Sequence, residues 1–230
     1  MASDWVETLV LVRHGESEGN VASRRARQHG HHVAWDGARQ ADIVLTSEGI
    51  RQAVATGKVL AKEFIFDRVF VSPYQRTIQT AEHVCAQFPY PAQLRYDERI
   101  REREMGMLDG LTDAGIAKSY PEEWKRMQRD GKYYYRAPGG ESYPDVALRI
   151  HSFLTSMRQN FAGKRLLVVT HGNAIWAFRR LLERIDEPKL MRLQQEPSQQ
   201  VKNCAVFTYV RGERRGRAVM TLRDCAVVAY

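Results

Sequence analysis

Two short apolar segments of the sequence end in the same way, and this feature limits the folds that are open to the chain. Leu9–Val12 is followed one residue later by His14, and Leu167–Thr170 is followed directly by His171. Short apolar runs bounded by polar or Gly residues predict buried strands, so each histidine leaves the carboxyl end of a strand. Ligands bind at that end of the strands in open α/β sheets. We therefore expect both histidines to lie in one crevice.

Predicted strands and helices alternate along the chain. The strand-like runs, rich in Val, Leu and Phe, are Thr8–Val12, Arg68–Ser72, Leu166–Thr170, Cys204–Val210 and Val219–Leu222. Helical patterns start at the N-cap candidates Ser47 and Ser142 and also cover Gln75–Ala86 and Ala174–Glu183. This alternation favours parallel strands that are covered on both faces. The fold class predicted is α/β: a three-layer α/β/α sandwich around a mainly parallel central sheet.

The chain shows no linker, so we predict one domain over residues 1–230. The aromatic and charged stretch at about 107–141 is predicted to be an insertion over the edge of the sheet that holds the histidines. The stretches 30–42 and 194–202 are predicted to be loops.

Charge and cysteine content indicate which partners and which cellular compartment suit the chain. Lys and Arg number 35 against 27 Asp and Glu, a formal net charge of +8, which favours anionic partners such as nucleic acid, acidic lipid or phosphorylated metabolites. The cysteines Cys85, Cys204 and Cys225 form no CxxC pair and no zinc-site spacing, which favours a reducing compartment. The sequence has neither a signal-peptide pattern nor an apolar run of membrane-span length. We predict a soluble cytoplasmic protein.

A third predicted strand end adds an arginine to the same edge. Val69–Ser72 precedes a helix whose first turn presents Arg76, and Arg13 stands directly before His14. An arginine in such a position is commonly solvated. Beside two imidazoles, however, its N–H fork suits a phosphate group, because the fork matches two phosphate oxygens. Helix N-termini at this edge add backbone donors, so the predicted site is positive and suited to phosphate.

These residues belong to four motifs that follow one another along the chain. The motifs are Arg13-His14-Gly15-Glu16-Ser17 with Asn20, then Ser72-Pro73 and Arg76-Thr77 with Thr80-Ala81, then Glu102 with Gly106, and finally His171-Gly172. The ordered set resembles the histidine phosphatase superfamily, which is also called phosphoglycerate-mutase-like. The resemblance implies the fold of that family, which agrees with the alternation of strands and helices.

The resemblance also implies a reaction on phosphomonoesters. His14, in its neutral form, would attack phosphorus and carry the phosphoryl group as phosphohistidine, which divides one displacement into two easier ones. Arg13, Arg76 and His171 would hold the equatorial phosphate oxygens, where charge must be stabilised in the transition state. The other phosphate-binding candidates are Ser17, Asn20 and Gly172. No metal or other cofactor is expected.

A carboxylic acid must protonate the leaving alkoxide and then help to activate water. The stretch Ile100–Gly106 resembles a Leu-x-Glu-x-x-x-Gly motif of the family, which assigns this role to Glu102. Glu98 and Glu104 are close competitors. The dense alternation of charges in this stretch would equally suit an exposed, solvated segment.

The predicted insertion carries the best indication of the substrate. Three stretches are similar to the fructose-2,6-bisphosphatase domain: Tyr120–Glu123, Lys132–Arg136 and Gly140–Tyr143. In that domain the matching Lys and final Tyr help to hold the sugar phosphate, so Lys132 and Tyr143 are substrate-binding candidates here, with Arg136 as a third. The tyrosines at 133–135 would equally suit an edge strand or a lid packed on the core. The long stretch 22–45 instead resembles broad-range acid phosphatases.

Two other functions stay open. A phosphoglycerate mutase uses the same residues but returns the phosphoryl group to the bound acid and must exclude water meanwhile. Mutases of this family carry a longer closing segment and a C-terminal tail, whereas this sequence stops at Tyr230, so we expect hydrolysis. A non-catalytic basic module that binds RNA or an acidic protein would explain the charge but not the histidines. We expect a small phosphorylated substrate, no specific nucleic acid and no membrane partner; the sequence does not define the oligomeric state.

Overall fold

The computed structural model describes residues 5–227. Residues 1–4 and 228–230 lie outside that range. The expectations about a signal peptide and a C-terminal tail concern these residues. Six strands of the described part form one sheet. They are β1 (Thr8–Arg13), β2 (Arg68–Val71), β3 (Leu94–Tyr96), β4 (Arg165–Thr170), β5 (Ala205–Arg214) and β6 (Arg217–Val227).

Five strands of the sheet run in the same direction, and β5 runs opposite to them. The order is β3-β2-β4-β1-β5-β6, with β5 antiparallel to β1 and β6 antiparallel to β5. The mainly parallel sheet is therefore confirmed. Its register sets Arg13 of β1 beside Thr170 of β4. Because these are the last residues of their strands, His14 and His171 start from neighbouring positions.

Eight α-helices connect or flank the strands within residues 5–227. They are α1 (Glu18–Gln28), α2 (Ser47–Glu63), α3 (Gln75–Cys85), α4 (Asp113–Ser119), α5 (Pro121–Tyr134), α6 (Tyr143–Asn160), α7 (Gly172–Leu182) and α8 (Glu187–Gln195). Thr46 caps α2, one residue before the predicted Ser47. Ser142 caps α6 as predicted, in a capping box with Asp145. Both stretches predicted to be loops contain one short 3₁₀ turn, at Gln40–Asp42 and Pro197–Gln199.

Alternate side chains of β1 enter two separate cores. Leu9 and Leu11 belong to a core that includes Phe153 of α6 and Phe178 of α7. Val10 and Val12 belong to another core, which includes residues of α2 and α3 such as Leu60. Because neighbouring side chains of a strand point to opposite faces, helices cover both faces of the sheet. The predicted α/β/α sandwich is confirmed.

The stretch 107–141 is mostly helical. It contains α4 and α5, whose residues Ile116 and Trp124 belong to a small apolar cluster with Tyr135. The edge strand considered for residues 133–135 does not form, because this part of the chain is the end of α5. Gly131, with a φ of 72°, breaks the helical path just before it. β3, with only three residues, is a strand that the sequence pattern did not predict.

Candidate active site

The carboxyl ends of β1 and β4 bring His14 and His171 together. The amide of His14 donates to Thr170 O at 2.9 Å, which extends the parallel ladder one residue beyond β1. The two imidazole centroids are 5.3 Å apart, with 61° between the ring planes. Both residues are buried, at 3% and 0% exposure. The structure therefore unites the two histidines that the sequence analysis selected.

Hydrogen bonds indicate which nitrogen of His14 can react. Nδ1 lies 2.7 Å from Gly15 O, and since a carbonyl only accepts, Nδ1 carries the hydrogen and Nε2 keeps its lone pair. Arg76 Nε donates to this Nε2 at 3.3 Å. Burial lowers the pKa of His14 well below its usual range, and the charges of Arg76 and Arg13 lower it further. His14 is therefore neutral at pH 7, the form that a nucleophile requires.

His171 and Arg13 each keep one buried nitrogen without a partner among the described residues. Burial first, and then the charge of Arg76, lower the pKa of His171 well below its usual range. His171 Nε2 lies 2.7 Å from Ser72 Oγ, whereas its Nδ1 has no partner. Arg13 Nη1 donates to Val201 O at 2.7 Å, whereas Arg13 Nε has no partner. Buried polar atoms are rarely left unpaired, and an anion is the ligand that suits this positive surrounding.

Arg76 extends from the first turn of α3 towards His14 and is held there by a loop. Its Nη1 donates to Gln40 O at 2.5 Å and its Nη2 to Gln40 Oε1 at 3.4 Å. Gln40 Nε2 donates in turn to Asp109 Oδ1 at 2.9 Å. No motif in the sequence marks Gln40, which lies in a segment predicted only as a loop. Burial lowers the pKa of Arg76, but the guanidinium remains charged.

The loop after β1 is fixed by a close approach and a helix cap. A Cβ on Gly15 would lie 2.4 Å from Gly49 O, so glycine is required where this loop passes the start of α2. Ser17 caps α1 in a capping box: its Oγ accepts from Asn20 N, and Asn20 Oδ1 accepts from Ser17 N. Asn20 Oδ1 also accepts from Asn203 Nδ2 at 3.0 Å. Ser17 and Asn20 both line the pocket, and the Asn20 amide nitrogen is the group suited to donate there.

Of the three candidate acids, Glu102 is the one that lines the pocket. Its Oε1 accepts from the next backbone amide at 2.8 Å, and its Oε2 from Asn173 N at 3.4 Å. Glu104 instead accepts a hydrogen bond from Tyr74, and Glu98 is exposed in a 3₁₀ turn. Gly172 starts α7 and lies next to Arg13 rather than among the pocket-lining residues.

The crevice opens into a pocket of about 740 Å³, which Lys132 and Tyr143 line. Partial burial and the charge of Arg103 lower the pKa of Lys132. The Tyr143 hydroxyl already bonds Asn173 Oδ1 at 2.6 Å and lies 3.1 Å from Gln194 Oε1. Of the two candidates, Lys132 is therefore the one whose polar group is better placed to meet a ligand.

Arg136 does not reach the pocket. Its guanidinium pairs with Asp145 in the first turn of α6, because the chain after α5 passes directly beside that helix start. Arg103 takes a place in the pocket wall that the sequence analysis did not predict. It is buried, donates to Tyr135 O and Glu141 O at 2.8 and 2.7 Å, and lies over the Tyr143 ring. The sequence did not single out Arg103, because it lies among many charged residues of both signs.

Two negative observations apply to residues 5–227. No group of three or more His, Cys, Asp or Glu side chains there is arranged to hold a metal ion. No helix in that part of the chain has the length and apolar character needed to cross a membrane.

The fold and the paired histidines define the class of protein. The model of the histidine phosphatase superfamily (branch 1) matches residues 9–222, and the chain belongs to this superfamily. The predicted resemblance is thereby confirmed at the level of the family.

Two relatives in sequence are named as mutases, and a solved structure of similar fold is named as a phosphatase. A 2,3-bisphosphoglycerate-dependent phosphoglycerate mutase of Bartonella bacilliformis is 30% identical over 188 residues, 80% of this chain and 85% of its own length. A probable phosphoglycerate mutase GpmB of Salmonella choleraesuis is 32% identical over 203 residues, 83% of this chain and 86% of its own length. The mycobacterial glucosyl-3-phosphoglycerate phosphatase superposes with a TM-score of 0.71 at 24% identity, over 95% of this chain and 98% of its own. This last likeness shows a shared fold.

Proposed function

We propose that the protein is a phosphomonoesterase that works through a phosphohistidine on His14. The observation that supports this most directly is the state of His14 itself. It is buried and neutral, and its Nε2 keeps a lone pair beside Arg76. A nitrogen in this state attacks phosphorus without first losing a proton. The predicted single domain, with its insertion at about 107–141, is part of the same proposal.

In the first step, His14 Nε2 forms a bond to phosphorus while the bond from phosphorus to the alcohol oxygen breaks. Arg13, Arg76 and His171 stabilise the charge on the equatorial oxygens. Asn20 adds a neutral donor, and Ser17 fixes Asn20 through the helix cap. The backbone amides at the start of α7, from Gly172 onward, favour the same negative charge.

Glu102 donates a proton to the leaving oxygen in this step, so the product is a neutral alcohol. In the second step Glu102 takes a proton from water, the water oxygen bonds to phosphorus, and the bond from phosphorus to His14 breaks. Inorganic phosphate leaves, and His14 returns to its neutral form. Both steps use only protein side chains and water, and we propose that the reaction needs no metal or other cofactor.

A phosphoglycerate mutase is the second candidate, because two relatives at 30% and 32% identity carry that name. A mutase must keep water away from the phosphohistidine until the phosphoryl group returns to the bound acid. The pocket of about 740 Å³ leaves room for water beside a three-carbon acid, which favours hydrolysis.

The test is phosphate release in the presence of EDTA from an aryl phosphate, fructose 2,6-bisphosphate and phosphoglycerates, with phosphoglycerate isomerisation measured in parallel. We expect phosphate release and an acid-labile phosphoenzyme label, both lost in His14→Ala. His151→Ala, which alters an exposed histidine of α6, is the matched control. Unchanged hydrolysis by His14→Ala would refute the proposal, and isomerisation without release would favour the mutase. Inactivity in both assays, with salt-sensitive retention of RNA, would favour the non-catalytic basic module.

A further inference from the structure

The pocket beyond the phosphate site has an apolar wall. Large apolar side chains line it from three separate segments: the loop before α2, the 3₁₀ turn and loop before α4, and the helices α4 and α5. The apolar residues are Leu108 and Ile116, which form its buried base, and the half-buried Trp35, Leu111, Trp124 and Met127, which expose surface to the pocket. We call this set the apolar wall. A ligand that extended out of the phosphate site would meet this wall.

Contacts among its own residues hold the apolar wall in place. Leu108 and Ile116 are only 1% and 3% exposed, and Leu111, Trp124 and Met127 pack on them while remaining half-buried. The loop that carries Trp35 is tied to this cluster through the backbone: Ala34 N donates to Gly110 O at 2.8 Å. An apolar surface that is held by its own packing can bind an apolar group at a low cost in conformational entropy.

The polar groups of the outer pocket do not form a strong second anion site. Lys132 and Arg27 are cations there, but Asp109 and Asp113 line the same space. Two nitrogens of the Arg103 guanidinium already donate hydrogen bonds to backbone carbonyls. A substrate with a second phosphate or carboxylate would therefore meet mixed charges, whereas the apolar wall offers contacts from one side of the pocket.

We infer that the substrates are phosphomonoesters of bulky, largely apolar alcohols, selected by the apolar wall. This inference rests on the proposed function, because it assumes that the ester is cleaved at His14. The pocket of about 740 Å³ lies in the range of roughly 300–1,000 Å³ that suits drug-sized ligands. Trp124 and Met127, the half-buried residues of α5, are specificity-determining residues in this view.

The expected effect follows from transfer of methylene groups out of water. Complete burial of one methylene corresponds to roughly a fourfold gain in kcat/KM. Extending an alkyl phosphate from ethyl to hexyl should therefore raise kcat/KM at least about tenfold, even when burial is only partial.

The experiment compares ethyl, butyl, hexyl and 3-phenylpropyl phosphate with glycerol 3-phosphate. All are esters of primary alcohols, so differences reflect binding of the alcohol more than its acidity as a leaving group. We expect Trp124→Ala and Met127→Ala to lower kcat/KM for hexyl phosphate about tenfold while that for ethyl phosphate changes less than about threefold. Leu148→Ala, which alters a leucine of α6 that is 72% exposed, is the matched control.

Inhibition by inorganic phosphate distinguishes loss of the apolar wall from loss of the fold. The inhibition constant should be unchanged in Trp124→Ala, because phosphate contacts only the charged end of the pocket. If the inhibition constant does change in Trp124→Ala, the comparison of hexyl and ethyl phosphate is made with Met127→Ala instead. Equal kcat/KM across the alkyl series would overturn the inference and leave the proposed function standing. Cleavage of none of these esters or of the aryl phosphate would overturn both.

Discussion

Arg149 of α6 connects the segment that carries Glu102 to the start of α6. Its guanidinium donates to the carbonyls of Arg99, Arg101 and Glu102 at 2.7, 2.8 and 3.0 Å. It also binds both carboxylate oxygens of Glu141 at 2.8 and 3.0 Å. These contacts use all the N–H groups that a guanidinium has. We therefore expect Arg149 to be a main support of the Glu102 segment.

We predict that Arg149→Met lowers the free energy of unfolding by about 3–5 kcal/mol. The Arg149 and Glu141 side chains are only 11% and 14% exposed. Glu141 keeps Arg101 and the Glu104 amide as partners, but three backbone carbonyls lose their charged donor, and several such hydrogen bonds together contribute about 3–5 kcal/mol. In a chain of this length, 1 kcal/mol shifts Tm by about 2–4 °C, so Tm should fall by roughly 10 °C. Methionine keeps the unbranched apolar stem, so the loss reports on the guanidinium.

The assay is thermal and urea denaturation of Arg149→Met, Glu141→Gln and the double variant. The two positions are in contact, so the double-mutant cycle should give a coupling energy above about 1 kcal/mol. Arg129→Met is the matched control, because Arg129 is 74% exposed in its pair with Asp130 and should contribute less than about 1 kcal/mol. A Tm of Arg149→Met within about 2 °C of the wild type would refute the reasoning.

The same pair has a pH signature. Burial alone would raise the pKa of Glu141, but the hydrogen bond and charge of Arg149, together with the Glu104 amide and the charge of Arg101, hold that pKa below its ordinary value of 4.5. A carboxylate whose pKa is lowered on folding stabilises the protein above its unfolded pKa, and this contribution is lost as the pH falls through the folded pKa. The stability difference between wild type and Arg149→Met should therefore shrink below pH 4.5.

Two further predictions concern the site itself. Glu102→Gln should lower kcat for an alkyl phosphate about 10²–10⁴-fold but spare an aryl phosphate, whose leaving group needs little protonation. Glu104→Gln should leave both rates nearly unchanged, and equal losses in the two variants would contradict the assignment. His14 and His171 are neutral when folded but protonate near pH 6.5 when unfolded, so each should cost about 1.4 kcal/mol per pH unit below that value. Urea denaturation between about pH 7.5 and 5.5 measures this, and a flat profile would contradict the burial of neutral histidines.

The sequence was sufficient for the residues that stand at strand ends. His14, His171 and Arg76 each follow a buried apolar run, and parallel strands place their carboxyl ends along one edge of the sheet. The same rule predicted the sandwich, because alternation of strands and helices covers both faces. Glu102 required motif spacing as well, since its charged neighbour Glu104 has the same local pattern.

Other contacts depend on backbone carbonyls and carry no sequence pattern. Gln40 receives Arg76 through its own carbonyl, and Arg149 binds three carbonyls of another segment. A glutamine or an arginine in the sequence does not reveal that a backbone carbonyl will take part in its hydrogen bonds. Arg136 was predicted to bind substrate because the stretch Lys132–Arg136 resembles the fructose-2,6-bisphosphatase domain. The break at Gly131 changes the direction of the chain, so Arg136 meets Asp145 instead.

The phosphate site and the apolar wall are held in place by different parts of the fold. Thr170 Oγ1 donates to Ile100 O at 2.6 Å, so the strand that ends at His171 also holds the segment leading to Glu102. The groups proposed for chemistry are thus tied to one rigid sheet edge, as positioning within a few tenths of an ångström requires. Trp35 and Trp124 lie outside the two main cores: Trp124 packs in the small cluster of the insertion, and the loop of Trp35 is bonded to the insertion through Ala34 N and Gly110 O. A substitution in the apolar wall can therefore change which alcohol fits without displacing the groups that bind and transfer the phosphoryl group.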